Sequence, residues 1–321
     1  MTRVLVTGAT GFIGRALVEA LVQSGHQVTA ALRDGRNPPA WPAAVRTVEV
    51  GDITGDTDWR TALEGVERIA HLAGIAHQPI AEDAATAARY HAVNVAGTAG
   101  LATAASHAGV ARLVLLSSVK VNGESTTDRA FTEQDAPAPR DVYGRSKWQA
   151  EQALAQIAQS ANLSYTVLRS PLVYGPGVRG NFASLIGLCD SPWPLPLGAI
   201  GNRRSLIARS NLVSALIAAL IHPSAANQTF LLRDGEDLST TELVRRLRQA
   251  LGRPPRLLPV PAMLLDGALR LIGRGAMADR LLGSLAIDDA KIRATLNWQP
   301  PTAPGQALAE AAKAYAAGHR G

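Results

Sequence analysis

Only one cysteine, Cys189, occurs in the 321 residues, so no disulfide can form within the chain. That scarcity predicts a reducing, cytoplasmic setting, with Cys189 a small buried apolar residue. Aromatic residues make up only 4% of the sequence, and the arginines are scattered, with no basic run and no interleaved aromatics. The net charge of +6 therefore predicts no nucleic-acid partner, and a cleft for a small polyanion accounts for it equally well. The longest strongly apolar stretch, Leu212 to Ile221, is too short to span a bilayer, and the first residues run into a strand without a signal-peptide pattern. Residues 212–221 read as a core helix, and no membrane partner is expected. His71, His77, His91 and His107 are too dispersed, and too poor in Cys or carboxylate partners, to argue for a metal.

What the chain has is length enough for a substantial core, 47% hydrophobic residues, and an alternation of strand and helix signals. It opens on RVLVTGATGFIG, residues 3–14. Val4, Leu5 and Val6 form a short apolar run of the kind found in a strand buried on both faces. Gly8, Gly11 and Gly14 follow at every third position, and from Phe12 to Val22 the apolar residues take helical spacing. Glycine at such a turn lets the backbone approach a pyrophosphate, and the helix start offers it free N–H groups. Strand, glycine turn and helix together predict dinucleotide binding.

Further strands are predicted at 27–32, 45–50, 67–72, 112–117 and 164–169, with one long Ala-rich helix over 84–108 and another over 142–159. The fold class is thus α/β, a Rossmann-type doubly wound parallel sheet with a smaller C-terminal substrate-binding lobe. The dinucleotide domain covers 1–170 and is rejoined by about 205–235; the lobe takes 171–204 and 236–321. At the tip of strand two, Leu32 takes the position of the carboxylate that holds the ribose of NAD, and Arg33 follows it. That arrangement favours NADP(H), with NAD(H) the alternative.

Tyr143 and Lys147 are four residues apart on one helix face, so the ammonium is expected near the phenol, favouring phenolate and lowering a pKa ordinarily about 10. Ser118 lies at the carboxyl end of strand five, where open parallel sheets carry their ligands. A hydroxyl to hold a carbonyl or alcohol, and a phenol to pass its proton, make an oxidoreductase site.

These motifs together resemble the extended short-chain dehydrogenase/reductases of the NAD-dependent epimerase/dehydratase family, which act on nucleotide sugars. The resemblance rests on TGATGFIG (7–14), GDI (51–53), HLAG (71–74), NVAGT (94–98), Ser118 with YGRSK (143–147), and RSPLVYGPG (169–177). It implies a catalytic triad of Ser118, Tyr143 and Lys147. It implies cofactor contacts at Gly8, Thr10, Gly11, Phe12, Ile13 and Gly14, at Arg33, Asp52 and Ile53, and at Leu72, Ala73, Gly74 and Asn94. Ser117, Tyr143, Lys147, Pro171 and Val173 complete that cofactor set. Substrate contacts are implied at His77, Ser118, Val119, Lys120, Tyr143 and Asn181, with Arg204 and Arg280 on the diphosphate.

The chain departs from the family's sugar dehydratases, which place Asp-Glu directly after the catalytic hydroxyl residue. Val119 and Lys120 stand there instead, which disfavours dehydration. Two readings remain: a 4-ketoreductase making a 6-deoxy sugar from a UDP-4-keto-6-deoxy-N-acetylhexosamine for O-antigen or capsule, and a UDP-hexose 4-epimerase. A non-catalytic nucleotide-sensing protein is more remote, because such proteins typically lose the Tyr/Lys pair. The resemblance also implies a homodimer through the helices at 84–108 and 142–159.

Overall fold

The computed structural model describes residues 1–35, 40–76 and 83–319. Strand β1 (Arg3–Thr7) leads through the glycine turn into the helix Phe12–Gln23. It is followed by β2 (Gln27–Leu32), β3 (Val45–Glu49), β4 (Arg68–His71), β5 (Arg112–Ser118) and β6 (Ser164–Ser170). Beyond these come β7 (Leu172–Tyr174), β8 (Arg204–Ala208), β9 (Gln228–Leu231) and β10 (Asp237–Leu238).

Seven strands form one parallel sheet in the order β3-β2-β1-β4-β5-β6-β9. Its order reverses between β1 and β4, the position at which doubly wound sheets open a ligand crevice. Side chains of a strand alternate between faces, and both faces here are covered. Val4, Val6 and Val114 pack with Leu17 and Leu21 of the first helix and with Leu212 and Leu216 of the helix Arg209–Ile221. Leu5, Ile69, Leu113 and Leu115 pack on the other side, with Leu101 of the helix Gly97–His107 and Leu154 of the helix Val142–Gln159. The stretch 212–221, read from sequence as a core helix, forms part of that packing. Among the described residues no helix is long and apolar enough to cross a membrane.

One buried cation serves this architecture. Arg112 donates from Nη1 to the carbonyls of Ala219 (3.0 Å) and His222 (2.6 Å), and from Nη2 to Pro223 (3.2 Å). It thereby satisfies carbonyls that the end of the 209–221 helix leaves open, and holds that helix on the sheet.

A second, three-stranded sheet has the order β10-β8-β7. It packs with the helices Gly180–Cys189, Thr240–Ala250 and Pro304–His319 around Tyr174, Phe182, Leu206, Val244 and Leu308. Buried Asp234 lies at the junction. It accepts from the Ala208 amide (2.8 Å), Asn211 Nδ2 (2.7 Å) and the Tyr174 hydroxyl (2.7 Å), so that β7, β8 and the 209–221 helix share one carboxylate. Cys189 is buried, and its thiol is pushed up to about 12 by burial, which keeps it an unreactive thiol.

The sequence predicts one uninterrupted helix over 84–108, and here the structure differs. Helix Ala84–Tyr90 passes through a wide π-helical turn, His91–Ala96, before continuing as Gly97–His107. A π turn carries one residue more than an α turn and frequently marks a site.

Candidate active site

The crevice begins at the glycine turn. Gly8 has φ +66°, and a Cβ there would lie 2.8 Å from the Ala73 amide nitrogen; a Cβ on Gly14 would lie 2.1 Å from the Gly8 carbonyl oxygen. Only glycine permits β1, the turn, the first helix and the segment after β4 to close so tightly. Gly11 caps the helix without a side-chain bond, and the first helical turn holds no acidic residue. Free N–H groups and the positive end of the helix dipole therefore face the turn, and a dinucleotide's pyrophosphate fits there.

The strands behind the turn are joined by an ordered chain of hydrogen bonds through His71. Burial, assisted by the nearby Lys147 charge, brings the His71 pKa down to about 3, so the ring is neutral. Thr98 Oγ1 donates to the Asn94 carbonyl (2.6 Å), so it accepts from His71 Nε2 (3.1 Å). His71 Nδ1 is then an acceptor and takes the Thr7 hydroxyl (2.7 Å), whose oxygen in turn accepts from the Ala73 amide (3.2 Å). The direction of every proton follows from the first one. Asn94, in the π turn, accepts from the Ile75 amide (2.8 Å) and donates to the Ile75 carbonyl (3.1 Å) and to Ser146 Oγ (2.9 Å). The backbone at 72–75 is thus held from two sides.

Ser118 ends β5, and Tyr143 and Lys147 stand on the first turns of the 142–159 helix, which Asp141 caps through the Gly144 amide (2.6 Å). Tyr143 and Ser118 share a side-chain hydrogen bond. Ser118 Oγ also accepts from the Lys120 amide (3.2 Å), so its own proton is directed elsewhere. Lys147 Nζ donates to the Leu116 carbonyl (3.0 Å), and a Cβ on Gly74 would come within 3.3 Å of it. The structure brings these three residues together.

The expected ionisation of the tyrosine is corrected. Burial pushes the Tyr143 hydroxyl up to about 12, and Asp141 and Tyr90 add to the rise against the smaller opposing effect of Ser118. Burial also brings Lys147 down to about 8, against the pull of Glu151. Desolvation outweighs the attraction that the four-residue spacing suggests, so at neutral pH Tyr143 is a protonated phenol.

Other expected residues are placed less centrally. Arg33 and Asp52, expected to meet different parts of the dinucleotide, are both largely exposed and pair with each other (Nε to Oδ1, 2.8 Å). Thr10 is exposed, while Ile53 packs beneath Gly97. Ser117 donates to Glu151 Oε1 (2.5 Å) from a buried position. Lys120 is held by Asp141 Oδ2 (2.6 Å) and Glu124 Oε2 (3.0 Å), and Val119 is buried. Pro171 and Val173 follow β6 beside Ser170. Arg204 donates from Nη1 to the Gly283 carbonyl (3.1 Å), and burial lowers its pKa. Asn181 is exposed in the first turn of its helix. Arg280 is exposed on the helix Gly275–Leu282 without an ion pair among the described residues, and no contact joins it to Arg204. His77 lies outside the described residues.

Several residues escape a reading of the sequence. Glu151 and Arg169 form a buried ion pair (2.7 Å), extended by Arg169 Nη1 to Asn122 Oδ1 (3.0 Å) and by Ser117. Arg209 holds its guanidinium 4.8 Å above the Phe12 ring, beside the glycine turn, with no ion pair among the described residues. Burial lowers its pKa. Its only sequence signal is a charge where a core helix begins.

An α/β crevice built on a glycine turn and floored by Ser118, Tyr143 and Lys147 defines a short-chain dehydrogenase/reductase of the extended type. Residues 4–232 match the model of the NAD dependent epimerase/dehydratase family, and the chain belongs to that family. It is 40% identical to a UDP-glucose 4-epimerase of Vibrio cholerae over 315 residues, covering 97% of this chain and 95% of that protein. It is 28% identical to an N-acetyl-alpha-D-glucosaminyl-diphospho-ditrans,octacis-undecaprenol 4-epimerase of Escherichia coli O157:H7, over 82% of this chain and 77% of that one. Among solved structures, MoeE5 in complex with UDP-glucuronic acid and NAD superposes with a TM-score of 0.76 at 27% identity, over 98% of this chain and 99% of that one.

Proposed function

We propose that this enzyme transfers hydride at C4 of the sugar of a UDP-sugar, with Ser118, Tyr143 and Lys147 as its catalytic residues. The observation that carries this reading is the phenol of Tyr143, hydrogen-bonded to Ser118 at the mouth of β5 and beside buried Lys147. A bound nicotinamide dinucleotide supplies or accepts the hydride. Ser118 orients the C4 oxygen, Tyr143 passes it a proton, and Lys147 holds the ribose and keeps a cation beside the site. Gly8, Thr10, Gly11, Phe12, Ile13 and Gly14 take the pyrophosphate. Asp52 and Ile53 take the adenine, and Leu72, Ala73, Gly74, Asn94, Ser117, Pro171 and Val173 border the rest of the dinucleotide. Asn181 and Arg204 serve the substrate diphosphate, with Arg280 a more distant second cation, on a lobe built from 171–204 and 236–321. The same two helices that flank the triad are proposed as the face of a homodimer.

Net reduction of a UDP-4-keto-6-deoxy-N-acetylhexosamine is the reading we adopt. A protonated Tyr143 supplies the proton that the C4 oxygen takes up on reduction, a step that net reduction and epimerisation share. Leu32 and Arg33, standing where NAD sites place a carboxylate, favour NADP(H). The second reading, 4-epimerisation with NAD(H), is favoured by the V. cholerae relative and by the NAD in the MoeE5 complex.

Purified protein given UDP-4-keto-6-deoxy-N-acetylglucosamine is expected to consume NADPH stoichiometrically and to yield a 4-hydroxy-6-deoxy sugar by NMR. Interconversion of UDP-glucose and UDP-galactose without net consumption of dinucleotide would replace this reading with the epimerase.

The pH profile follows from Lys147. With its pKa down at about 8, reduction is expected to fall as pH rises through about 8, while binding of NADPH at the glycine turn persists. The effect on stability has the opposite sign. Between about 8 and the ordinary lysine value the unfolded chain holds more protons than the folded one, so this group's contribution improves as pH rises through that window. Initial rates and denaturant midpoints across that range test both.

A further inference from the structure

Lys120 stands two residues beyond Ser118, where the resemblance implies a substrate contact and where the family's sugar dehydratases place a glutamate. Its ammonium is instead taken up within the protein. Nζ donates to Asp141 Oδ2 (2.6 Å) and pairs with Glu124 Oε2 (3.0 Å). All three side chains are partly buried, Lys120 at 22% exposure, Asp141 at 17% and Glu124 at 32%. Two carboxylates around one ammonium leave no net positive charge to offer a diphosphate.

The two oxygens of Asp141 have different duties. Oδ1 accepts from the Gly144 amide (2.6 Å) and caps the helix Val142–Gln159, while Oδ2 holds Lys120. The Lys120 backbone reaches the same junction from the other side. Its amide donates to Ser118 Oγ (3.2 Å), and its carbonyl oxygen lies 2.9 Å from where a Cβ on Gly144 would be. Gly144 adjoins Tyr143, so glycine there lets the turn Val119–Val121 lie close against the first turn of the helix. The Ala138 amide donates to the Val121 carbonyl (2.9 Å), which sets the approach to the helix on that turn as well. A strand that ends in Ser118 and a helix whose second residue is Tyr143 thus meet at Lys120.

We propose that Lys120 is a positioning residue for the proton transfer: through Asp141 it ties the start of the 142–159 helix to the end of β5, and so fixes Tyr143 against Ser118. This inference rests on the reading of Ser118 and Tyr143 as catalytic. A misplacement of about 1 Å costs on the order of a hundredfold in rate, so a tie across this junction acts on turnover and leaves affinity for the sugar unchanged. The ammonium does this without touching the substrate. At the position where a dehydratase of the family carries a glutamate, this chain carries the link between the two elements that hold its own hydroxyl and phenol.

The test compares steady-state kinetics of Lys120→Met, Lys120→Arg and Asp141→Asn on the sugar that the wild type turns over, either UDP-4-keto-6-deoxy-N-acetylglucosamine with NADPH or UDP-glucose with NAD. Lys120→Met keeps the side chain's bulk and removes its charge. It is expected to lower kcat about tenfold to a hundredfold, with KM for the sugar within about twofold and dinucleotide binding as in the wild type. Lys120→Arg should restore most of kcat, because a guanidinium also pairs with Asp141. Asp141→Asn keeps an oxygen for the Gly144 amide and loses the charge that holds Lys120. It should match Lys120→Met, and the double variant should fall no further than either single one. A raised KM at unchanged kcat in Lys120→Met overturns the proposal and makes Lys120 a substrate contact. Losses that multiply in the double variant, or variants as active as the wild type, overturn it and leave Ser118 and Tyr143 in their roles. A wild type that turns over neither sugar overturns the reading of the catalytic pair, and this proposal with it.

Discussion

Tyr143→Phe is expected to lower turnover by about a hundredfold to ten-thousandfold, the usual contribution of a positioned proton donor, while leaving dinucleotide binding intact. The substitution removes one oxygen and keeps the ring, so the edge contact with the Tyr90 ring, at 6.3 Å between centroids, survives. Ser118 keeps the Lys120 amide as a partner. The first helical turn keeps its Asp141 cap, because that bond runs to the Gly144 backbone. What disappears is the proton that burial holds on the phenol at neutral pH. Single-turnover decay of NADPH absorbance, measured beside the dissociation constant for NADPH, separates the two effects. Turnover within a few-fold of wild type would remove Tyr143 from the chemistry, and unchanged nucleotide binding alongside no turnover in either protein would point to a nucleotide-sensing role.

Glu151→Ala is expected to destabilise the fold by about 3–5 kcal/mol, the usual cost of leaving one member of a buried ion pair alone. Both partners are nearly inaccessible, at 4% for the glutamate side chain and 5% for the arginine. Arg169 binds both carboxylate oxygens, from Nε at 3.1 and 3.2 Å and from Nη2 at 2.7 Å. Without Glu151 the guanidinium keeps, among the described residues, Asn122 Oδ1 and the Trp148 ring, 5.7 Å away, and the Ser117 hydroxyl loses its acceptor. A lower denaturant midpoint at unchanged slope is the expected result. The Glu151→Leu/Arg169→Met double variant should recover much of the loss, since a buried pair replaced as a whole is often neutral. A wild-type midpoint for Glu151→Ala would show that water reaches Arg169. Glu151 also supports the charge of Lys147 one turn earlier. In Glu151→Gln the alkaline limb of the rate profile should therefore move to lower pH, an effect that lost packing alone does not produce.

The parts of the site legible in the sequence are those whose partners are close along the chain. Strand, glycine turn and helix follow one another within residues 3–23, and Tyr143 and Lys147 share one helix face, so their juxtaposition follows from helical geometry. Ser118 is legible because a strand end in a parallel sheet has a known place in the crevice. What depends on distant packing was hidden. Glu151 and Arg169 read as ordinary charges until β6 sets Arg169 against the 142–159 helix. Arg209 meets Phe12 only when the 209–221 helix docks beside the first helix. The spacing of Tyr143 and Lys147 shows a cation near a phenol but not the burial that decides both ionisations. The π turn has no distinct local signature: Val93, Asn94, Val95 and Gly97 weaken the helix around it but do not say how it is wound, which their neighbours decide.

The wide turn at 91–96 separates two parts of one helix that answer to different neighbours. After it, Leu101, Ala102 and Ala105 are locked into the core and Thr98 into the His71 chain, so that part cannot rotate. Before it, the segment Ala84–Tyr90 buries only Tyr90 and borders the cleft. Such a turn opens or closes by one residue while the regular helix beyond it stays in place. The segment before the turn can therefore gain or lose a residue over evolutionary time without disturbing the register of the sheet behind it.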